Sequence, residues 1–120
     1  MAHLPHDHGQ DIQKLVPRLG EVEDFQALAE SFRQLSDGTR LRLFWLLCHC
    51  EECVTNLSAL MGMSSPALSH HLRQLKAAGL ITSRREGKEV YYTAADVPTT
   101  TLLHDALEGL IEITCPMEEA

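Results

Sequence analysis

From Asp24 onward, apolar residues recur at Phe25, Leu28, Ala29, Phe32 and Leu35, the three- and four-residue spacing of one helical face. SerAspGly at 36–38 interrupts that run, and Asp37 is suited to cap the helix that follows. Leu41, Phe44, Trp45, Leu47 and Cys48 make this second helix strongly apolar, the expected centre of the core. A third helix is expected over 54–61, with Gly62 free to adopt the backbone of a tight turn. Ser64 or Ser65 can cap a fourth helix that tolerates Pro66 in its first turn; Leu68, Leu72 and Leu75 form its buried stripe, and Gly79 ends it. The period then shortens to that of strands at 80–85 and 89–93, with GluGlyLys between them as a hairpin turn. A last helix over about 97–114 carries Leu103, Ala106, Leu107, Leu110 and Ile111 on one face, and Cys115 and Pro116 close it. Residues 1–20 are polar and weakly periodic, an arm with room for one short helix between 11 and 19.

This order (α-α-α-α-β-β-α, mainly helical with a small β-hairpin) describes a winged helix–turn–helix over residues 21–120, preceded by the arm. With 120 residues and only 5% aromatic side chains, the chain builds a modest single core. Its own helices cannot cover Phe25, Leu28 and Phe32 together with Leu103, Leu107 and Leu110. A homodimer through the first and last helices is therefore expected, presenting two reading helices to a two-fold site on double-stranded DNA. No run approaches the roughly 18 apolar residues of a membrane span, and the N-terminus lacks the apolar region of a signal peptide. A cytoplasmic protein with no membrane partner is expected.

A net charge of −7 argues against nucleic acid until it is mapped along the chain. Between Ser64 and Lys88 five basic residues face one acid, whereas the remainder holds five basic residues and sixteen acids. The basic face would contact phosphate, and the acidic remainder would limit non-specific binding. Ser64, Ser65, Ser69 and His70 lie in the first two turns of the fourth helix, where a reading helix meets base edges. Arg73 and Lys76 suit phosphate, and Arg84, Arg85 and Lys88 suit backbone or minor-groove contacts from the wing. His71 has the pattern of a partly buried helix residue.

The chemistry concentrates at Cys48, Cys50 and Cys53, a C-x-C-x-x-C cluster directly ahead of the helix–turn–helix. In a reducing compartment, thiols at this density favour metal or redox chemistry over structural disulfides. Thiolates take soft or borderline ions, here Cd²⁺, Pb²⁺ or Zn²⁺, with arsenite in reserve. Cys48 also suits core packing as a small hydrophobe. A further donor must come from elsewhere: Cys115 first, then His3, His6 and His8 on the arm. Catalysis is disfavoured, because His49 and its neighbouring cysteines are adjacent in a helix and point apart, and no phosphate cradle, nucleophile elbow or carboxylate pair is present. A metal carrier would explain the thiols but not the reading helix and wing.

LeuSerAspGlyThrArgLeuArgLeuPhe at 35–44, MetSerSerProAlaLeuSerHisHisLeuArgGlnLeu at 63–75 and GlyLeuIleThrSerArgArgGluGlyLysGluValTyrTyr at 79–92 follow one another in order. They resemble the opening motif, recognition helix and wing of the ArsR/SmtB family of metal-responsive repressors, over about residues 25–113. Gly38 stands where that family usually has Pro. Many relatives carry E-L-C-V-C-D-L where this chain has GluGluCysValThrAsnLeu at 51–57; Cys53 keeps the first thiol, and Thr55 and Asn56 replace the second thiol and the acid. Zinc sensors of the family use D-x-H with H-x-x-E or H-x-x-H. The matching positions are Asp96 with Pro98 and Gly109 with Glu112, so that second site is expected to be absent. The resemblance implies a homodimeric repressor that binds operator DNA when metal-free and releases it on binding a thiophilic ion. It also implies an alternative, a redox or persulfide switch pairing Cys48 with Cys115.

Overall fold

In a computed structural model, which describes residues 3–113 and 115, a 3₁₀ turn (Gln13–Leu15) leads into α1 (Val16–Leu19), followed by α2 (Val22–Gln34) and α3 (Gly38–Leu47). A two-residue strand β1 (Glu52–Cys53) precedes α4 (Val54–Met61) and α5 (Ser65–Ala77); β2 (Ile81–Glu86), β3 (Glu89–Ala94) and α6 (Pro98–Ile111) complete the order. Local signals act where expected. The Asp37 carboxylate accepts the Arg40 N–H at 3.0 Å ahead of α3, and Ser64 Oγ accepts the Ala67 N–H at 3.3 Å ahead of α5. Gly62 closes α4 in the left-handed region at φ 65°, which makes the turn into α5 tight.

The expected hairpin is one strand larger. β3 pairs antiparallel with β2 from Ile81 opposite Ala94 to Glu86 opposite Glu89. On its other edge it pairs with β1, Glu52 opposite Tyr92 and Cys53 opposite Tyr91. Two residues are too few for alternation to register in a sequence.

Leu43, Phe44 and Leu47 from α3 meet Leu57 of α4, then Leu68, Leu72 and Leu75 of α5, with Leu80 and Ile81 at the wing root; all are essentially solvent-free. The α5 leucines at i, i+4 and i+7 turn one face into this core and leave Ser65, His70, Arg73 and Lys76 exposed.

α2 buries only Ser31 and Gln34, leaving Phe25, Leu28 and Phe32 about half exposed. On α6 the expected pairing face needs correction. Leu107 is buried within its own chain and Leu103 packs on its core, whereas Leu102, Leu110 and Ile111 point outward, Leu110 at 82% exposure. The α3 surface claims one side of α6, which takes Leu103 and Leu107 out of the expected pairing face and leaves Leu110 on it, joined by Leu102 and Ile111. The last helix ends at Ile111; of the residues expected to finish it, Thr114 and Pro116 lie outside the described residues.

Candidate metal centre and nucleic-acid interface

α3 stops at Leu47, Cys48 caps it, and His49 follows with its ring 4.9 Å from that of Trp45. Facing it on α6 are His104 and Glu108, four residues apart and so on one helical face. Past α6, Glu112 adopts a left-handed conformation at φ 53° and the Ile113 N–H donates to the Glu108 carbonyl at 3.1 Å, turning the chain. Cys115 is then buried against His49, its Sγ 3.1 Å from Nδ1 and 3.3 Å from Nε2. His104 Nε2 lies 3.0 Å from His49 Nε2 and 3.0 Å from Glu108 Oε1, while His49 Nε2 and Glu108 Oε1 stand 3.7 Å apart.

These donors, two imidazoles, a carboxylate and a thiol, all lie within 4.8 Å of one another, and among the described residues they form the one such group. The Trp45 indole N–H donates to Glu108 Oε1 at 3.4 Å. Glu108 Oε2 is buried without a hydrogen-bond partner among the described residues. A buried carboxylate oxygen left without a donor is costly, and a cation would satisfy it. The donor set matches the nitrogen, oxygen and sulfur ligands of a tightly bound divalent ion, so the residues fit a metal.

The structure brings together only part of the sulfur-centred set expected from sequence. Cys115 is in the group. Cys48 sits beside it, its thiol pushed up to about 12 by burial and then by the nearby Cys115 and Glu108. Cys50 donates instead to the Leu46 carbonyl at 3.4 Å, with burial and Glu52 raising its thiol, and Cys53 is buried in β1. The chain leaves a helix and enters a strand between 48 and 53, so side chains that one helical turn would gather diverge. On the arm His6 and His8 stack at 5.7 Å; neither they nor His3 join the four donors. His49, seen in the sequence only as a poor catalytic base, together with His104 and Glu108, was missed as a ligand set. H-x-x-x-E on an amphipathic helix was the available signal, one that many surface helices also carry.

On the reading face, Ser64, Ser65, His70, Arg73 and Lys76 are exposed and Ser69 is half-buried. Ser64 is engaged as the helix cap and Ser65 Oγ lies 3.1 Å from Ser58 Oγ. Lys76 Nζ donates to Ser83 Oγ at 2.7 Å, fastening α5 to the wing. Half-buried His71 lies 3.4 Å from Arg40 Nη1 and 3.8 Å from Asp37. Arg85 and Lys88 are exposed. Arg84 is not free: its guanidinium donates to Glu51 at 2.6 and 2.9 Å and to Glu86 at 2.6 Å, and stands over the Tyr91 ring. That pairing raises the arginine further above its ordinary range and lowers the Glu51 carboxyl.

Residues 37–83 match the family described as "Bacterial regulatory protein, arsR family". A transcriptional repressor SmtB homolog from Synechocystis is 36% identical over 112 residues, covering 93% of this chain and 85% of that protein. A cadmium resistance transcriptional regulatory protein CadC homolog from Staphylococcus aureus is 38% identical, covering 88% of each chain. Among solved structures, a homodimeric winged helix–turn–helix DNA-binding domain from Mycobacterium bovis superposes with a TM-score of 0.67 at 26% identity, covering 88% of this chain and 91% of that one. Reduced HlyU from Vibrio cholerae gives 0.70 at 25% identity, covering 76% and 95%.

Proposed function

The chain belongs to the ArsR family of bacterial transcriptional regulators, and on that premise we propose that it is a homodimeric repressor whose grip on operator DNA is broken by a metal ion held at His49, His104, Glu108 and Cys115. Family members are regulators, not enzymes, and the Staphylococcus aureus relative carries a name tied to cadmium resistance. One observation carries the reading: four ligand-type side chains from three segments lie with their donor atoms within 4.8 Å of one another, and the second oxygen of their carboxylate, Glu108 Oε2, is buried with no hydrogen-bond partner among the described residues.

The ion would contribute a compact positive charge that four donors share; the coupling belongs to the chain. His49 sits at the end of α3, while His104 and Glu108 sit on α6, so joint ligation draws those helices together. The Thr93 hydroxyl contacts the carbonyls of Leu47, at 3.2 Å, and Cys50, at 3.0 Å, so the segment after α3 is tied to β3 of the wing. α6 also carries the exposed Leu102, Leu110 and Ile111, which with Phe25, Leu28 and Phe32 of α2 supply the face for a second copy. A shift of α6 against α3 therefore alters the spacing of two reading helices across the dimer. Couplings of this kind amount to about 1–3 kcal/mol, or roughly 5- to 150-fold in affinity. Residues 21–120 hold both the reading and the pairing faces, and residues 1–20 form an arm outside them.

The test uses a duplex selected from a random pool by the metal-free protein, followed by fluorescence anisotropy with and without divalent ions. Metal-free protein should bind, ions should weaken binding within that range, and Cys115→Ser or His104→Gln should keep DNA binding while losing the ion effect. Operator affinity that no ion changes would refute the reading. A thiol-redox switch has one observation in its favour, that Cys48 lies close enough to Cys115 for the two charges to interact.

A further inference from the structure

We propose that the four-donor cluster is complete within a single protomer and selects a borderline divalent ion of the zinc class over the thiophilic ions cadmium, lead and trivalent arsenic. The inference rests on the metal-sensing reading above and names its effector.

Selectivity follows from which atoms are present. Two imidazole nitrogens and a carboxylate oxygen outnumber one sulfur, and ions that depend on several thiolates gain least from such a set. No second sulfur is ready to join. Cys50 is turned to the Leu46 carbonyl, Cys53 lies in the sheet opposite Tyr91, and Cys48 stands outside the group of donor atoms that lie within 4.8 Å of one another.

The spacing agrees. In a tetrahedral site with bonds of about 2.0–2.1 Å, nitrogen and oxygen donors stand about 3.3 Å apart, and a sulfur stands about 3.5 Å from a nitrogen. The observed edges are 3.0 Å from His49 to His104, 3.0 Å from His104 to Glu108, 3.7 Å from His49 to Glu108, and 3.3 Å from Cys115 to His49 Nε2. No pair of donor atoms is further apart than 4.8 Å, so closure requires movements of about an ångström and no rearrangement of the fold. Outer groups are also in place: the Trp45 N–H reaches Glu108, and Asp105 lies 3.6 Å from Nδ1, the far nitrogen of His104. Such groups orient metal-ligating carboxylates and imidazoles.

Cobalt(II) added to the full-length protein is the probe, because its visible and near-ultraviolet absorption reports coordination number and sulfur ligation without reference to DNA. One ion per chain, the intense visible bands of four-coordination and a sulfur-to-cobalt band of single-thiolate intensity are expected. Cys115→Ser should abolish the sulfur band, with His104→Gln as a second variant that weakens the visible bands. Cys48→Ser, Cys50→Ser and Cys53→Ser should leave the spectrum intact. Zinc should displace cobalt at a free concentration at least tenfold below that needed by cadmium. A sulfur band of two- or three-thiolate intensity, its loss in Cys50→Ser or Cys53→Ser, half an ion per chain, or cadmium displacing cobalt more readily than zinc would each overturn the proposal. The two readings fail separately. The expected cobalt spectrum without operator release by any ion upholds the site and refutes metal sensing. Operator release with a spectrum indifferent to Cys115→Ser refutes the site and upholds sensing.

Discussion

Cys48 offers a sharp test of whether the thiols sense metal or oxidant, because its position sets its reactivity. Burial against α6, with Cys115 and Glu108 close by, lifts its acidity constant from 9.0 to about 12. At neutral pH that leaves about a thousandfold less thiolate than an unperturbed cysteine carries. A more basic thiolate is a better nucleophile, with a Brønsted coefficient of about 0.4–0.5, which recovers roughly 16- to 30-fold of the loss. Attack on a small disulfide reagent should therefore run about 30- to 60-fold slower than at an unperturbed thiol, and partial shielding can only slow it further. The assay is timed exposure to an aromatic disulfide, acid quench, and mass spectrometry of the peptide bearing Cys48, with urea-unfolded protein as reference. Between about pH 7 and 10 the logarithm of the folded-state rate should climb steadily, whereas an unperturbed thiol levels off near its own acidity constant. Equal rates in folded and unfolded protein, or a plateau near pH 9, would refute the reasoning and make Cys48 a competent partner for Cys115 in a redox switch.

The same shift has a stability consequence. A thiol that holds its proton more tightly when folded favours the native state fully at neutral pH and progressively less as pH rises from about 9 towards 12. Urea midpoints should fall over that range in the wild type and fall less in Cys48→Ala. Trp45→Phe removes the indole donor to Glu108 while keeping an aromatic ring beside His49, so ion affinity by calorimetry should drop about 10- to 100-fold with metal-free operator binding unchanged. Replacing both Glu51 and Glu86 by Gln releases Arg84 from its carboxylates. Metal-free DNA binding should tighten, and its salt dependence should steepen by about 0.9 in log–log slope, the signature of one added phosphate contact; an unchanged slope would show that Arg84 stays off the DNA. Leu72→Ala, at a solvent-free position between α3 and α5, should lower unfolding free energy by about 2–5 kcal/mol in urea titrations.

The reading head was legible in the linear chain because local rules decide it. Leucine spacing on α5, a serine cap at 64, a left-handed glycine at 62 and the alternating strands of the wing are each set within a few residues of where they act. The candidate metal site obeyed no local rule. Cys48, Cys50 and Cys53 stand close in sequence, yet a helix end followed by a strand separates their side chains. His49, His104, Glu108 and Cys115 span sixty-six positions and meet only because α6 packs back across the end of α3 and turns at Glu112. The same packing decided which side of α6 stays exposed, taking Leu107 inward and leaving Leu110 outside. Hydrophobic periodicity states that a helix has a buried face; which neighbour buries it, and which polar groups are carried together as a result, depends on the balance of contacts over the whole chain.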